Sequence, residues 1–328
     1  MSAVVQPFTD EQARCVANLA QQYDVWLEAQ RASSELPYNI VRKDIKGHAY
    51  LYELFDRAGN GKSLGVFDSK AERKLSDYQQ QKASLKARLR GTSQTLETTA
   101  RMYRALRLPL IDSAAGDVLR AIDRHGLLGL RVIVVGTNAI PAYSMEANAL
   151  LIDMPDQTAD FDLAWSSAEP AEDEELLLPI LKEVDPTYTV NPGRPFQARN
   201  SRAYEVELLV APSREAMLNR RERLQPVALP EQEWLLRGQP VEHVVVTRDL
   251  KPARIIAPDP RWFALHKLWM SKKPGRNRQK KPKDRKQGLL LLRAVEAAMP
   301  HYPLDEAFAS ELPLELLHLY QDWRETSQ

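Results

Sequence analysis

Arg131-Val132-Ile133-Val134-Val135-Gly136-Thr137 is a short, nearly all-apolar run that stops at a glycine. Such a run is typical of a strand buried on both faces. Glycine lets the backbone approach a phosphate closely, and Thr137 adds a hydroxyl donor. Residues 138–149 allow a helix, with Pro141 confining it to a first turn or marking a break. Amide N–H groups at a helix start favour anions. An ordinary strand-to-helix turn has the same sequence, so the run points to chemistry only in combination with other residues.

Asp160-Phe161-Asp162 supplies the combination. Residues 159–165 read as a second strand, and period-two geometry puts both carboxylates on one face. Two carboxylates held close repel each other and lose hydration. A divalent cation removes that penalty, and magnesium takes oxygen ligands while keeping waters and substrate phosphates in its shell. A solvent-facing strand edge shows the same Asp-x-Asp pattern. A third acid is expected from a neighbouring strand. Tyr204-Glu205-Val206-Glu207-Leu208-Leu209-Val210 offers Glu207, with Glu205 on the same face as the competing candidate. Three carboxylates around magnesium would let a site activate a hydroxyl and stabilise a leaving pyrophosphate. Lysine charges would offset the charge that builds on the phosphates.

The elements around this centre predict an α+β fold, a small mixed sheet with flanking helices. Helices are expected at 93–108 and 114–127, and an acidic helix at 172–184. Strands are expected at 196–199 and 203–210, joined at Asn200-Ser201, and a hairpin across 241–256. Residues 93–258 are thus expected to form the core. Upstream, Thr9 and Gln12 fit a capping box for a helix over 9–30, with Val16, Leu19, Tyr23 and Trp26 on one face. Tyr50, Tyr52 and Leu54 alternate and Gly59-Asn60-Gly61 supplies a turn, so 48–67 reads as a hairpin. A polar helix over 70–89 carries Leu75, Tyr78, Lys82 and Leu85 at helical spacing; it needs a partner surface or lies largely in solvent. Residues 1–92 are expected to be an accessory helix–hairpin–helix module. Residues 259–328 are expected to be helical, with helices at 260–270, 287–299 and 313–324. Gly61-Lys62-Ser63 only imitates a P-loop, which needs a glycine five positions before Gly61, where Asp56 stands.

The chain has 328 residues, room for two or three modules, and 44% hydrophobic residues, enough for a real core. Its formal net charge of +1 says nothing about partners, so only local clusters are informative. One cysteine, Cys15, excludes an intrachain disulfide framework and a zinc site of the Cys-Cys type. No apolar run nears the roughly 20 residues that cross a bilayer, and the first residues lack the basic and apolar parts of a signal peptide. A soluble, cytoplasmic protein without a membrane partner is expected. The biased segment 271–286 carries nine Lys or Arg against one Asp. It reads either as a disordered solvated loop or as a binder of nucleic-acid phosphates that releases counterions. Trp262 and Trp269 nearby either stack on bases or belong to the core.

In this order and with these flanks, Gly136-Thr137, Asp160-x-Asp162 and Val206-Glu207-Leu208-Leu209 resemble the motifs of the DNA polymerase beta-like nucleotidyltransferase superfamily. More narrowly, the chain resembles an uncharacterised bacterial nucleotidyltransferase family. Gly136-Thr137-Asn138-Ala139 with Tyr143 is similar to its Gly-Thr-x-Ala turn, and His266-Lys267 and Lys283-Asp284 to its later helical motif. The likeness spans residues 108–296. It implies transfer of a nucleoside monophosphate from an NTP, such as ATP, to an acceptor hydroxyl, with pyrophosphate released. It implies magnesium (Mg2+) held by Asp160, Asp162 and Glu207, a triphosphate gripped by Gly136 and Thr137, and phosphates neutralised by Lys267 and Lys283. The superfamily's third acid is commonly aspartate, and Glu207 reaches farther. By their residues alone, Lys267 can equally snorkel to solvent from its aromatic-rich helix. Lys283 and Asp284 can form an ion pair or a cap, and His266 can be a packed histidine. The basic segment points to an RNA end as acceptor; a protein side chain and a small molecule are the other candidates. The competing function is an inactive nucleotidyltransferase fold that binds RNA or a partner, which a missing acid would favour. Related families also serve as toxins or in phage defence.

Overall fold

The structure, a computed structural model, describes all residues except 1–3, 157, 159, 173–175, 220 and 328. The chain divides into two compact units, Met1–Ala20 with Thr99–Gln328, and Gln21–Thr98.

At the centre of the larger unit is a six-stranded mixed sheet. Its order is Val132–Val135, Asp160–Trp165, Glu205–Val210, Arg194–Arg199, Thr189–Asn191, with Val227–Ala228 attached to Glu205–Val210. The apolar run Val132–Val135 is buried at every position, as its composition predicts. The chain then turns through a short 3-10 segment, Gly136–Ala139, into the helix Ile140–Glu146, where Pro141 sits in the first turn. A proline there is harmless, because its missing N–H would have had no intrahelical acceptor. Ser113–Arg124 starts as a helix because the Asp112 side chain accepts from Ala114 N and Ala115 N. The expected hairpin near its position is formed by Val241–Thr247 and Pro252–Ala257, and Leu110–Ile111 adds a parallel strand.

Two helices stand over the sheet residues that form the site. Pro260–Lys272 and Lys280–Ala298 meet at Gly288, where an added Cβ would lie 2.7 Å from Ala264 O and from Leu268 Cγ. The second of these begins seven residues earlier than the helix expected at 287–299. Half of the basic segment 271–286 is therefore helical, and Pro282 does not prevent it because it falls in the first turn.

The smaller unit holds an antiparallel sheet of Asn39–Ile45, His48–Leu54 and Gly61–Val66. Ile40, Leu51, Ala71 and Tyr78 form its core. Gly61-Lys62-Ser63 opens the third strand of this sheet, and is no P-loop. The capping box is formed: Thr9 N donates to Gln12 Oε1 at 2.9 Å and Gln12 N to Thr9 Oγ1 at 3.2 Å. The helix it starts runs over Asp10–Glu35.

Two helical expectations need correction. Residues 70–89 and 93–108 were predicted as separate helices, but Ser69–Ala105 is one helix of 37 residues. Gly91 costs about 1 kcal/mol relative to alanine without forcing a break. The joint expected at residue 92 thus falls inside a helix. The helix expected at 172–184 is Leu177–Val184, an apolar segment; part of the acidic stretch, 173–175, lies outside the described residues, as does Ala159. Among the described residues no helix is long and apolar enough to cross a membrane.

Candidate active site

Strand pairing builds the acidic half of the site. Glu205–Val210 runs parallel to Asp160–Trp165 with Glu205 beside Asp160 and Glu207 beside Asp162. Alternation puts these four carboxylates on one face, while Phe161, Leu163, Val206 and Leu208 are buried on the other. Val132–Val135 pairs from the other side, with Val135 opposite Asp162. The chain then turns at Gly136, with φ +74°, and a Cβ there would lie 2.2 Å from Asp162 Oδ2. Both facts demand glycine. Asn138 Nδ2 donates to Asp160 O at 3.0 Å and fastens the turn to the strand.

The basic half comes from the two helices. Lys267, only 5% exposed, reaches Asp284 Oδ1 at 3.2 Å, and Arg276 Nε donates to Asp284 Oδ2 at 2.8 Å. Lys280 Nζ donates to Asp160 Oδ2 at 2.7 Å. Gln287 Nε2 donates to Pro155 O at 2.6 Å and lies 3.4 Å from Thr137 Oγ1. Lys280, Lys283, Asp284 and Gln287 follow i, i+3, i+4, i+7 spacing, one helix face.

Gly136, Thr137, Asp160, Asp162, Glu207, Lys267 and Lys283, the seven residues predicted from the sequence, all line one cavity of about 280 Å³. Glu205 is drawn aside. Its carboxylate accepts from Gln197 Nε2 at 3.0 Å and is paired with Arg199. The same Gln197 amide donates to Glu207 Oε1 at 2.8 Å, and Asn191 Nδ2 donates to Gln197 Oε1 at 2.7 Å. Gln197, fully buried, therefore fixes both glutamates.

The carboxylates differ in charge state. Burial opposes ionisation of Asp160, but hydrogen bonds from Lys280 and Thr158 and the Lys280 charge outweigh it, holding Asp160 at about 2. Asp162 is pushed up to about 7, by burial first and then by Asp160 and Glu207; Lys267 and Lys280 oppose the rise. Among the described residues its carboxylate accepts no hydrogen bond. Burial pushes Lys267 down, against the pull of Asp284 and Asp162. Burial likewise lowers Lys283, helped by the Lys267 charge. His266 is pushed down to about 3 by burial and the Lys267 charge, which suits a packed ring and not a base at neutral pH. Trp262 is wholly buried and belongs to the core; Trp269 packs edge-on to Trp234 at 5.1 Å.

Asp160, Asp162 and Glu207 are the carboxylates that could hold a metal. Among the described residues no three His, Cys, Asp or Glu side chains stand together as a ready cage. Asp160 accepts from Lys280 and Glu207 from Gln197. The donor set still suits a hard cation, since Asp162 is a carboxylate crowded by two others and given no proton donor.

Lys280, Arg276, Thr158 and Gln197 were not found from the sequence. The signal for Lys280 is the helical spacing that links it to Lys283 and Gln287, which a helix beginning at Gln287 leaves out. Gln197 carried no signal, because its role depends on cross-strand pairing with Glu207.

A family model described as nucleotidyltransferase matches residues 113–313. No curated protein and no solved structure matches the chain.

Proposed function

Because the chain belongs to the nucleotidyltransferase family, we propose that it moves a nucleoside monophosphate from an NTP to an acceptor hydroxyl, with magnesium, releasing pyrophosphate. The observation that carries this reading is the register that sets Glu207 beside Asp162 and faces both, with Asp160, toward lysines of two helices in one cavity. Asp160, Asp162 and Glu207 would hold the magnesium, which when bound supplies a charge that draws phosphate oxygens and an acceptor hydroxyl together. Lys280 would leave Asp160 and turn to phosphate. Lys267, buried beside Asp284, would stabilise charge that develops on the triphosphate. Gly136 permits backbone close to Asp162, and Thr137 is fixed beside it by Gln287. Glu207, set by Gln197, is the third acid, and Glu205, held by Arg199, is not.

We assign an RNA end as the acceptor. Lys272, Arg278, Arg285 and Lys286 are exposed on the same segment that sends Arg276, Lys280 and Lys283 into the cavity. Exposed cations so placed would guide a phosphate backbone toward the reacting hydroxyl. The test is incubation with α-labelled NTPs, magnesium and either total RNA or total protein. Label is expected in RNA, to depend on magnesium, and to vanish in Asp160→Ala and Asp162→Ala. Absence of both label transfer and magnesium-dependent NTP binding would sink the assignment; label in protein alone would move the acceptor.

A further inference from the structure

The cavity that holds the carboxylates has a second, apolar end. Glu205, Glu207 and Leu209 share one face of their strand, so the floor changes from acid to hydrocarbon within two residues. Leu209 pairs with Val227 of the adjoining strand, and Phe196, Leu235 and Met270 continue the apolar wall.

Two polar side chains are set into this wall. His266 is 7% exposed and Gln232 4%, and both line the cavity. Both ring nitrogens of His266 and Oε1 of Gln232 have no hydrogen-bond partner. They share a neighbourhood: the His266 ring lies edge-on to Trp234, 6.4 Å between centroids, and Trp234 is two residues from Gln232 in the same short helix. His266 and Met270 lie one helical turn apart and so face the same way. Buried polar groups are nearly always partnered, so three such atoms in one wall ask for a ligand that supplies the partners.

We propose that this end of the cavity is the nucleobase subsite, where His266 and Gln232 Oε1 read a donor–acceptor pair on the edge of the base. The inference rests on the nucleotidyl-transfer reading: a triphosphate held among Lys267, Lys280 and Lys283 leaves its base to the other end of the same cavity. Gln232 Oε1 can only accept, so it takes an N–H of the base. The imidazole, neutral in this site, offers one N–H and one lone pair. Phe196, Leu209 and Met270 give the base apolar surroundings. A buried edge readout of this kind rejects the wrong base strongly, because a mismatch leaves the site's own groups unpaired.

The test is calorimetric binding, with magnesium, of inorganic triphosphate, ATP, GTP, CTP and UTP to the full chain and to His266→Phe and Gln232→Met. Wild type is expected to bind one NTP at least about tenfold more tightly than the weakest of the four, and more tightly than inorganic triphosphate. Either substitution should bring that preference toward unity. Met270→Trp, which fills the same end without altering either polar group, covers the case of a variant that does not fold. It should weaken the NTPs and spare inorganic triphosphate. Equal binding of all four NTPs to wild type, or a preference that survives both polar substitutions, overturns the base subsite while leaving nucleotidyl transfer in place. Failure of inorganic triphosphate and every NTP to bind overturns both.

Discussion

Gly136 and Asp162 cannot be separated: the backbone of one passes so close to the carboxylate of the other that a single added Cβ would stand 2.2 Å from Asp162 Oδ2. The φ of +74° at Gly136 adds a second demand for glycine. Gly136→Ala should therefore cost about 1–3 kcal/mol in stability from backbone strain. Displacing Asp162 should lower transfer by about 10²-fold, the scale of a misplacement near 1 Å. Thermal unfolding and label transfer on the same preparation check this; a variant as stable and active as wild type would refute the contact's importance.

Asp162 makes stability depend on pH in an unusual direction. Its carboxyl is pushed from the ordinary 3.8 to about 7 by burial, Asp160 and Glu207. Between those values the folded chain keeps a proton that the unfolded chain has lost, so stability falls as pH rises through that window. Asp162→Asn removes the titration, and urea unfolding from pH 5 to 8 should show a shallower decline than wild type. Magnesium should raise the melting temperature of wild type more at pH 8 than at pH 6, because it binds the ionised group. Identical pH profiles for the two proteins would contradict the assignment.

Lys280 competes with any cation for Asp160 Oδ2, which it holds at 2.7 Å. Lys280→Met should tighten magnesium binding in the absence of nucleotide and raise KM for the NTP. Calorimetric titration with magnesium alone, followed by steady-state kinetics, separates the two effects. Weaker magnesium binding in the variant would count against the competition.

Lys267 and Asp284 test structure against chemistry. Asp284→Ala strands a buried lysine, and breaking such a pair costs about 3–5 kcal/mol. Replacing both, Lys267→Met with Asp284→Leu, should recover most of that stability and none of the transfer activity. Recovery of activity in the double variant would assign Lys267 a purely structural role.

The third acid can be settled by a pair of substitutions. Glu207→Gln is expected to abolish label transfer, whereas Glu205→Gln, which alters a side chain already paired with Arg199, should retain most of it. The opposite ranking would reverse the choice made from the Arg199 pairing of Glu205 and the place of Glu207 in the cavity lining.

The sequence made the acidic strands legible because their signals are local. An apolar run ending in Gly-Thr, a period-two Asp-x-Asp and a strand with Glu207 each follow from residues a few positions apart. The capping box of Thr9 and Gln12 was legible for the same reason. Residue types also marked Lys267 and Lys283, through a resemblance and not through spacing. What the sequence obscured was continuity: the break expected between 70–89 and 93–108 lies within one helix, and the charge of 271–286 fits a loop although Lys280–Ala298 is helical. Propensity is a weak local term, and burial of one face along Gly288 and Leu291 decides the second case.

By itself, then, the sequence determined the α+β class and the order of the strands' acids, and it pointed to Gly136, Thr137, Asp160, Asp162 and Glu207 as neighbours, which line one cavity with Lys267 and Lys283. Only the tertiary structure decided which glutamate faces the cavity, that Lys280 reaches Asp160 across 120 residues, and that Gln197 sets Glu207. It alone placed the unpartnered His266 and Gln232 in one apolar wall. Those relationships depend on strand register and helix packing, which bring distant residues within hydrogen-bond reach and leave no trace in local spacing.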